Sequence, residues 1–171
     1  MTRSVYFSFH YENDVWRTNV VRNSWVSRGN TAAGFRDNAE FEQVKRGGDR
    51  AIDAWIDKQI SGTSVTVVCL GSETCNRYWV RREIEKSLAR GNGVVIVRIH
   101  NIKDQNGELC APGETDFGLP SDVKLPEYDY VTDNGYDNLG DWVEKSAQIA
   151  GRPDLNPPES RYRKHNPWCL R

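Results

Sequence analysis

One carboxylate in this 171-residue chain, Glu83, belongs to a pattern that could carry chemistry. It follows Trp79 by four residues, in the segment Asn76-Arg-Tyr-Trp-Val-Arg-Arg-Glu. Side chains one helical turn apart lean in the same direction, so a helix here would present Trp79 and Glu83 together. A positioned carboxylate can stabilise an oxocarbenium-like charge and hold ribose hydroxyls, which suits the cleavage of an N-glycosidic bond.

A single glutamate is sufficient where the leaving group of the N-glycosidic bond is already positively charged. The ribosyl–nicotinamide bond of NAD⁺ is such a bond, because nicotinamide leaves as a neutral molecule and needs no general acid. The alternative is that Glu83 is a solvated helix residue paired with Arg82, Lys86 or Arg90. Taken alone, the residue type favours this alternative, since charges on helices usually lie at the surface.

Other common catalytic signatures are missing from the sequence. There is no GxGxxG after the first predicted strand, no GxxxxGK[ST] and no GxSxG, the motifs of Rossmann dinucleotide binding, P-loop hydrolysis and α/β-hydrolases. A response-regulator receiver would need acidic residues where the first strand ends, and Phe7-Ser-Phe-His10 stands there. The four cysteines form no CxxC pair and have no histidine at zinc-site spacing, so we expect reduced thiols and no metal site.

Bulk composition limits the class of protein. Lys plus Arg (23) nearly balances Asp plus Glu (24), so no overall positive field would attract nucleic acid or an anionic membrane. No apolar run approaches the roughly 18 residues that span a bilayer, and Met1-Thr-Arg3 leads directly into a strand pattern. We expect a cytoplasmic protein with one domain, large enough to bury a core without disulfides.

The segment around Glu83 predicts a strand, a short loop and a helix. Val65–Leu70 is a continuous apolar run that Gly71 ends, typical of a strand buried in a parallel sheet. From Asn76 onward the apolar residues recur every four positions, as on one face of a helix. Ligands of open α/β sheets bind beyond the carboxyl ends of the strands, so we expect the site at residues 71–77.

The rest of the chain alternates strands and helices. The predicted strands lie at 3–10, 32–37, 65–70, 93–100 and 128–131, of which 32–37 is the weakest. The predicted helices lie at 14–28 with Asp14 as its cap, 38–44, 49–61, 76–90 and 136–150. This order predicts an α/β, flavodoxin-like three-layer sandwich around a five-stranded, mostly parallel sheet of order 2-1-3-4-5.

Two segments have no predicted helix or strand. Residues 101–127 are rich in Gly, Pro and Asp, and a loop of that length is typical of a functional lid or partner surface, with a passive insertion as the alternative. Residues 151–171 are predicted to form an extended tail packed on or near the domain at 1–150, docked by Trp168. The last helix is expected to bury Leu139, Trp142, Val143 and Ile149.

Three segments carry a family resemblance. They read Val5-Tyr-Phe-Ser-Phe-His-Tyr11, Ser64-Val-Thr-Val-Val-Cys-Leu-Gly-Ser-Glu-Thr74 and Asn76-Arg-Tyr-Trp-Val-Arg-Arg-Glu-Ile84. Together they resemble the TIR-like domain of bacterial Thoeris anti-phage proteins, the ThsB group. The resemblance covers about residues 1–105, and Trp79-Val-Arg-Arg-Glu83 matches the Trp-x-x-x-Glu arrangement in which TIR NADases place their catalytic glutamate.

The resemblance implies a TIR-like fold and an NAD⁺ glycohydrolase/cyclase that makes a cyclic ADP-ribose isomer. That diffusible nucleotide would activate a separate effector, ThsA, which depletes NAD⁺, and the resemblance also implies self-assembly. Glu83 takes the catalytic position. The implied substrate-binding residues are Phe7, Ser8, Phe9, His10, Asp37, Ser72, Asn76 and Trp79. NAD⁺ is the substrate, so no cofactor and no metal are expected.

Alternatives stay open at the level of single residues and of the whole chain. A histidine hydrogen-bonded at a strand end is the alternative to a proton-transfer role for His10. Plain aromatic packing is the alternative for Trp79. A non-catalytic TIR-like interaction or nucleotide-binding module would signal by self-assembly. A nucleoside deoxyribosyltransferase-like enzyme also uses a glutamate on a related sheet, but it would be expected to supply further active-site acids.

Overall fold

The computed structural model describes residues 3–33 and 38–151, and in that part of the chain five strands form one sheet. The strands are β1 (Ser4–Phe9), β2 (Thr31–Ala32), β3 (Val65–Leu70), β4 (Gly93–Arg98) and β5 (Glu127–Asp129). Their order is β2-β1-β3-β4-β5, and every neighbouring pair is parallel. This confirms the predicted strand order 2-1-3-4-5 and the flavodoxin-like α/β architecture.

Helices cover both faces of the sheet. They are α1 (Tyr11–Ser27), α2 (Asn38–Lys45), α3 (Asp49–Ile60), α4 (Tyr78–Arg90) and α5 (Gly135–Ile149), with a 3-10 turn at Thr74–Asn76. Side chains of α1 and α5 pack with β1, β3 and β4 in one core cluster. On the other face, α2 and α3 pack on β1, and α4 packs on β3 and β4. The three predicted layers are confirmed.

Strand β1 directs alternate side chains to the two faces of the sheet. Val5, Phe7 and Phe9 join the core cluster with α1 and α5. Tyr6 and Ser8 point to the opposite face, where both contact α4. The period of two along a strand produces this division, and it decides which predicted site residues can reach Glu83.

Two sequence predictions are wrong in detail. Helix α1 begins at Tyr11 with His10 as its N-cap, because the His10 backbone is extended and its Nδ1 lies 3.4 Å from the Asn13 amide. Asp14 is therefore a buried residue inside the first turn. Ile149, predicted to be buried, is 43% exposed because it borders an open cavity at the end of α5.

The segment between β4 and β5 contains no helix or strand, as predicted. It is anchored at two places: Phe117 is buried in the cluster under α4, and the Gly113 carbonyl accepts a 2.9 Å hydrogen bond from Arg98 Nη1. A Cβ on Gly113 would lie 2.0 Å from the Gly71 carbonyl oxygen, so this segment passes directly against the loop between β3 and α4.

Parts of two predictions lie outside the described residues. The described residues of the weak strand predicted at 32–37 include the end of β2 (Thr31–Ala32), and positions 34–37 lie outside the described residues. The predicted tail at 151–171 is not described beyond Gly151. Within the described ranges, no helix has both the length and the apolar character needed to cross a membrane.

Candidate active site

Glu83 lies in the buried face of α4, although its side chain is ionisable. The buried residues of this helix are Val80, Glu83, Ile84, Ser87 and Leu88, a spacing of three and four that turns them all toward the sheet. The exposed fraction of Glu83 is 0%. The alternative interpretation of Glu83 as a solvated surface residue is therefore wrong.

Both carboxylate oxygens of Glu83 accept hydrogen bonds from β1. Tyr6 Oη donates to Oε1 at 2.8 Å, and Ser8 Oγ donates to Oε2 at 2.5 Å. A buried charge is costly unless it is hydrogen-bonded, and hydrogen bonds to an ionised carboxylate are about twice as strong as neutral ones. The two hydroxyls thus hold the carboxylate in one orientation against β1.

The backbone of α4 is held at the same level by a second pair of hydroxyls. Ser87 Oγ donates to the Glu83 carbonyl at 2.7 Å, and Thr66 Oγ1 on β3 lies 2.7 Å from Ser87 Oγ. All three residues are buried. The helix turn that carries Glu83 is therefore fixed to β1 through its side chain and to β3 through its backbone.

The cations next to Glu83 in the sequence bond to carboxylates of the neighbouring helix. Arg82 donates to both carboxylate oxygens of Asp53, at 2.9 and 2.7 Å, and Lys86 lies 2.8 Å from Asp57. The hydrogen bond from Arg82 lowers the pKa of the Asp53 carboxyl. These pairs join α4 to α3.

A cleft of about 60 Å³ opens at the carboxyl end of β1, beside the start of α4. Its lining residues are Phe9, His10, Tyr11, Glu12, Phe41, Glu42, Lys45, Arg77, Trp79 and Val80. Trp79 and Val80 precede Glu83 by four and three residues, so the carboxylate lies one helical turn behind this wall. The Trp79 ring contacts Phe41 edge-on, with centroids 6.0 Å apart.

His10 is a buried side chain at the junction of β1 and α1. Its Nε2 accepts a short hydrogen bond from Arg77 Nε, and Arg77 Nη2 also lies 3.0 Å from Glu12. Burial, followed by the charge of Arg77, lowers the pKa of His10. This is the geometry expected of a histidine hydrogen-bonded at a strand end, and it places Arg77 at the cleft.

The loop between β3 and α4 is tied to α1 by Asp14. Thr74 Oγ1 donates to Asp14 Oδ2 at 3.2 Å and accepts a 2.8 Å hydrogen bond from the Gly71 amide. A Cβ at Gly71 would lie 2.3 Å from Asp14 Oδ1, so only glycine allows this approach. Burial raises the pKa of Asp14 to about 6.

The structure brings some of the predicted site residues together and separates others. Ser8 contacts Glu83, and Phe9, His10 and Trp79 line the cleft. Ser72 is half-buried and Asn76 exposed on the loop before α4. Phe7 packs on the opposite face of the sheet, and Asp37 lies outside the described residues.

Two groups at this site, Tyr6 and Arg77, were not predicted from the sequence. The signal for Tyr6 was available, because Tyr6 precedes Ser8 by two positions and a buried strand places such positions on one face. Arg77 gave no such signal, since its contact with His10 joins residues 67 positions apart. Among the described residues, no group of three His, Cys, Asp or Glu side chains could hold a metal ion.

Comparisons with known proteins agree with this architecture. The family model for the Thoeris protein ThsB, TIR-like domain, matches residues 6–104, which include the last four residues of β1, the β3–α4 loop and Glu83. A Bacillus cereus (strain MSX-D12) protein described as a candidate cyclic ADP-D-ribose synthase, ThsB1, is 38% identical over 145 residues. That match covers 84% of this chain and 72% of the relative. The chain therefore belongs to the Thoeris ThsB family and contains its TIR-like domain.

Proposed function

We propose that this protein is an anti-phage NAD⁺ glycohydrolase/ADP-ribosyl cyclase, which converts NAD⁺ into a cyclic ADP-ribose isomer. The observation that carries the proposal is the buried carboxylate of Glu83, which accepts one hydrogen bond on each oxygen behind a cleft at the carboxyl edge of the sheet. The name of the Bacillus cereus relative, a candidate cyclic ADP-D-ribose synthase, supports the same reaction class.

The proposed reaction begins with cleavage of the bond between ribose C1′ and the nicotinamide nitrogen. The bonding electron pair stays with nicotinamide, which leaves neutral, and positive charge develops on C1′ and the ring oxygen. The Glu83 carboxylate stabilises that charge and accepts a hydrogen bond from a ribose hydroxyl. A nucleophilic atom of the same ADP-ribose then bonds to C1′ to close the ring, or water does so in hydrolysis, and the nucleophile releases any surplus proton to solvent.

An ionised Glu83 fits the contacts that the side chain makes. A carboxylate has only acceptor positions, and Tyr6 and Ser8 both supply donors. The proposed role also requires the cleft to widen, since about 60 Å³ is far below the roughly 300–1,000 Å³ of a typical ligand pocket. We place the opening between Trp79 on α4 and Phe41 on the short helix α2, whose rings meet only edge-on.

The remaining predicted site residues take supporting roles in this proposal. Phe9 and Trp79 form the apolar wall of the cleft, and His10, Ser72 and Asn76 supply polar groups around its mouth. Asp37 is proposed to contact substrate from the segment before α2. Phe7, on the far face of the sheet, supports β1 from the core and does not reach the substrate.

The product is proposed to act outside this chain. A cyclic ADP-ribose isomer made in the cytoplasm would diffuse to the separate effector ThsA and activate NAD⁺ depletion there. Self-assembly of the TIR-like domain belongs to the same proposal. NAD⁺ enters as a substrate, so the reaction as proposed needs no additional cofactor.

The test is a comparison of cyclic nucleotide in phage-infected cells that express the wild type, Glu83→Gln or Glu85→Gln. Glutamine keeps the shape of Glu83 and removes its charge, so we expect no cyclic product by mass spectrometry. Glu85 is the matched control, because it lies on the same helix and pairs with Arg82 at 3.0 Å. The control should retain the product at equal protein level, whereas full product from Glu83→Gln would exclude this mechanism.

A non-catalytic TIR-like binding module is the second candidate, and the small volume of the cleft favours it. Such a module would use the Glu83 network as a structural brace between α4 and β1. The same infected cells distinguish the two candidate functions. A binding module predicts phage resistance that survives Glu83→Gln with no cyclic nucleotide in either strain, and the enzyme predicts that resistance and product are lost together.

A further inference from the structure

Two cationic side chains, which have no part in the bond cleavage itself, line the cleft in front of Glu83. Lys45 is the last residue of α2, and Arg77 directly precedes α4. They therefore come from the two helices between which the cleft would widen. Their side chains are 39% and 46% exposed, so an anion in solution can reach both.

Each of these cations is paired with an exposed glutamate of the same cleft. Arg77 Nη2 lies 3.0 Å from Glu12, and Lys45 Nζ lies 2.6 Å from Glu42. The two carboxylates are 75% and 54% exposed, and ion pairs exposed to this degree contribute little to stability. A substrate anion can therefore replace either glutamate at small cost.

Arg77 differs from Lys45 because its head group is held by a buried side chain. His10, which is 3% exposed, accepts a hydrogen bond from Arg77 Nε through its own Nε2. Burial, followed by the charge of Arg77, lowers the pKa of His10, which favours the unprotonated ring that can accept this bond. Both Nη atoms remain for a ligand, since Nη2 bonds only the exposed Glu12 and no described residue bonds Nη1.

The proposed substrate brings negative charge that the cleft must accommodate. NAD⁺ carries a diphosphate one ribose away from the bond that breaks, and the Glu83 carboxylate would repel it. Arginine suits phosphate well, because two N–H groups of its planar fork can bind two phosphate oxygens at once. Arg77 precedes Glu83 by six residues, about 9 Å of helix, so the two side chains can act on neighbouring parts of one molecule.

We propose that Arg77 binds the diphosphate of the substrate, with Lys45 as a second cation, and that His10 is the positioning residue that orients Arg77. Phosphate oxygens replace Glu12 at Nη2, and Nη1 supplies a second hydrogen bond. The inference rests on the proposed function, since NAD⁺ as substrate is what brings a diphosphate to this cleft.

Equilibrium binding to the purified full chain tests the role of Arg77 without requiring turnover. The ligands are ADP-ribose, which contains the diphosphate, and adenosine, which lacks it. Arg77→Gln should raise the Kd of ADP-ribose by about 10- to 100-fold, the range for hydrogen bonds to charged groups, and leave the Kd of adenosine unchanged. Arg90→Gln is the matched control, because it removes one exposed arginine from the other end of α4, and it should bind ADP-ribose as the wild type does.

Two variants of His10 separate positioning of Arg77 from a purely structural role. His10→Asn can still cap α1, but it is too short to place an acceptor at the position of Nε2, so it should raise the Kd of ADP-ribose by about 3- to 10-fold. His10→Gln carries its amide oxygen further from the backbone and should restore most of the affinity. In the Arg77→Gln background, His10→Asn should have no further effect on the Kd, because the group that it positions is absent.

The outcomes distinguish this inference from the proposed function. Equal affinity of the wild type and Arg77→Gln for ADP-ribose would overturn the inference and leave the mechanism at Glu83 to its own test with Glu83→Gln. An equal loss of adenosine binding in Arg77→Gln, or inorganic pyrophosphate that binds as tightly as ADP-ribose, would also overturn it. A wild-type chain that binds neither ADP-ribose nor NAD⁺ would overturn the inference and the proposed function together.

Discussion

Ser8 Oγ donates a 2.5 Å hydrogen bond to Glu83 Oε2, joining β1 to α4 across 75 residues of sequence. Ser8 lies at the carboxyl half of β1 and Glu83 in the middle of α4, and neither side chain is exposed. Side-chain contacts at this distance in sequence arise only when the sheet and the helix pack together. The orientation of the carboxylate is therefore a property of the whole fold rather than of α4 alone.

Removing the hydroxyl groups that donate to Glu83 should lower product formation more than it lowers the stability of the fold. Hydrogen bonds to charged groups contribute roughly 1.5–3 kcal/mol, so Ser8→Ala and Tyr6→Phe should each lower product formation by about 10- to 100-fold. Product per unit protein, measured by mass spectrometry in infected cells, checks this. Tyr6→Phe keeps the ring in the cluster with α3 and is the milder change.

Thr66→Val is the control for these variants. Thr66 is paired with Tyr6 in the β1–β3 register and bonds Ser87, so its loss should lower the free energy of unfolding without turning the carboxylate. If Ser8→Ala forms as much product per unit protein as the wild type, the Ser8 hydroxyl does not position Glu83 for the reaction.

The element order was predictable from the sequence because its apolar periodicity is strong. Val65–Leu70 was predicted to the residue, since a β-branched run ended by Gly71 has few other interpretations. The start of α1 was not, because Asp14 has the residue type of a cap while His10 is the actual N-cap. Residue preferences at helix caps carry no information about the burial of Asp14 against Gly71.

The candidate site was predictable only in part. The Trp79–Glu83 pattern pointed to α4. Predicting that Glu83 is buried would also have required its position in a stripe with Val80 and Ser87, at a spacing of three and four residues. The two polar members of that stripe, Glu83 and Ser87, were the signal that Glu83 is buried. The contacts of Glu83 with β1 depend on tertiary packing, which no local pattern encodes.

Asp14→Asn should change how stability depends on pH. The pKa of Asp14 rises from 3.8 to about 6 on folding, so the folded state binds more protons between these values. The contribution of Asp14 is present below about pH 4 and is lost as pH rises through 6, a loss of at most about 3 kcal/mol. The asparagine amide carries no charge at any of these pH values, so the variant should be more stable than the wild type above pH 6 by urea unfolding.

Asp53→Asn should change the pH dependence of stability in the opposite direction to Asp14→Asn. The Arg82 hydrogen bond lowers the pKa of Asp53, so this carboxylate stabilises the fold at neutral pH and loses its effect as pH falls through the folded-state pKa. The variant should be less stable than the wild type at pH 7, and the difference should shrink in acid. An Asp14→Asn protein with the pH profile of the wild type would contradict the burial that raises the pKa of Asp14.

Gly113→Ala and Gly140→Ala should change stability in opposite directions. A Cβ at Gly113 would lie 2.0 Å from the Gly71 carbonyl oxygen, a backbone atom that cannot rotate away. We expect a loss of roughly 1–3 kcal/mol from the displaced segment. A Cβ at Gly140, inside α5, meets no atom within 4 Å, and alanine there should stabilise the helix by about 1 kcal/mol.

The same pair of variants tests whether the 101–126 segment supports the site. Displacement at Gly113 would disturb the loop from Gly71 to Arg77, so product formation should fall with stability, while Gly140→Ala should leave product unchanged. Urea unfolding and product analysis on both variants provide the check. Normal stability and product from Gly113→Ala would mean that the close approach at Gly71 is not maintained in solution.

Trp79→Ala separates a substrate-binding wall from plain aromatic packing. Trp79 is half-buried, contacts Phe41 edge-on and borders the cleft one turn before Glu83. If it forms the wall against which NAD⁺ binds, Trp79→Ala should lower product formation at least about tenfold. Its thermal stability should change less than that of a variant at a fully packed tryptophan.

Trp55→Phe supplies that comparison within the same cluster. Trp55 is 6% exposed, packs against Phe41 with the two rings tilted, and donates to Glu40 at 3.2 Å, but it does not line the cleft. Its loss should lower the melting temperature and spare the product, because the change is confined to the packing of α2 on α3. If Trp79→Ala instead behaves as Trp55→Phe does, losing stability but keeping its product, Trp79 is a packing residue and substrate must reach Glu83 along another side of the cleft.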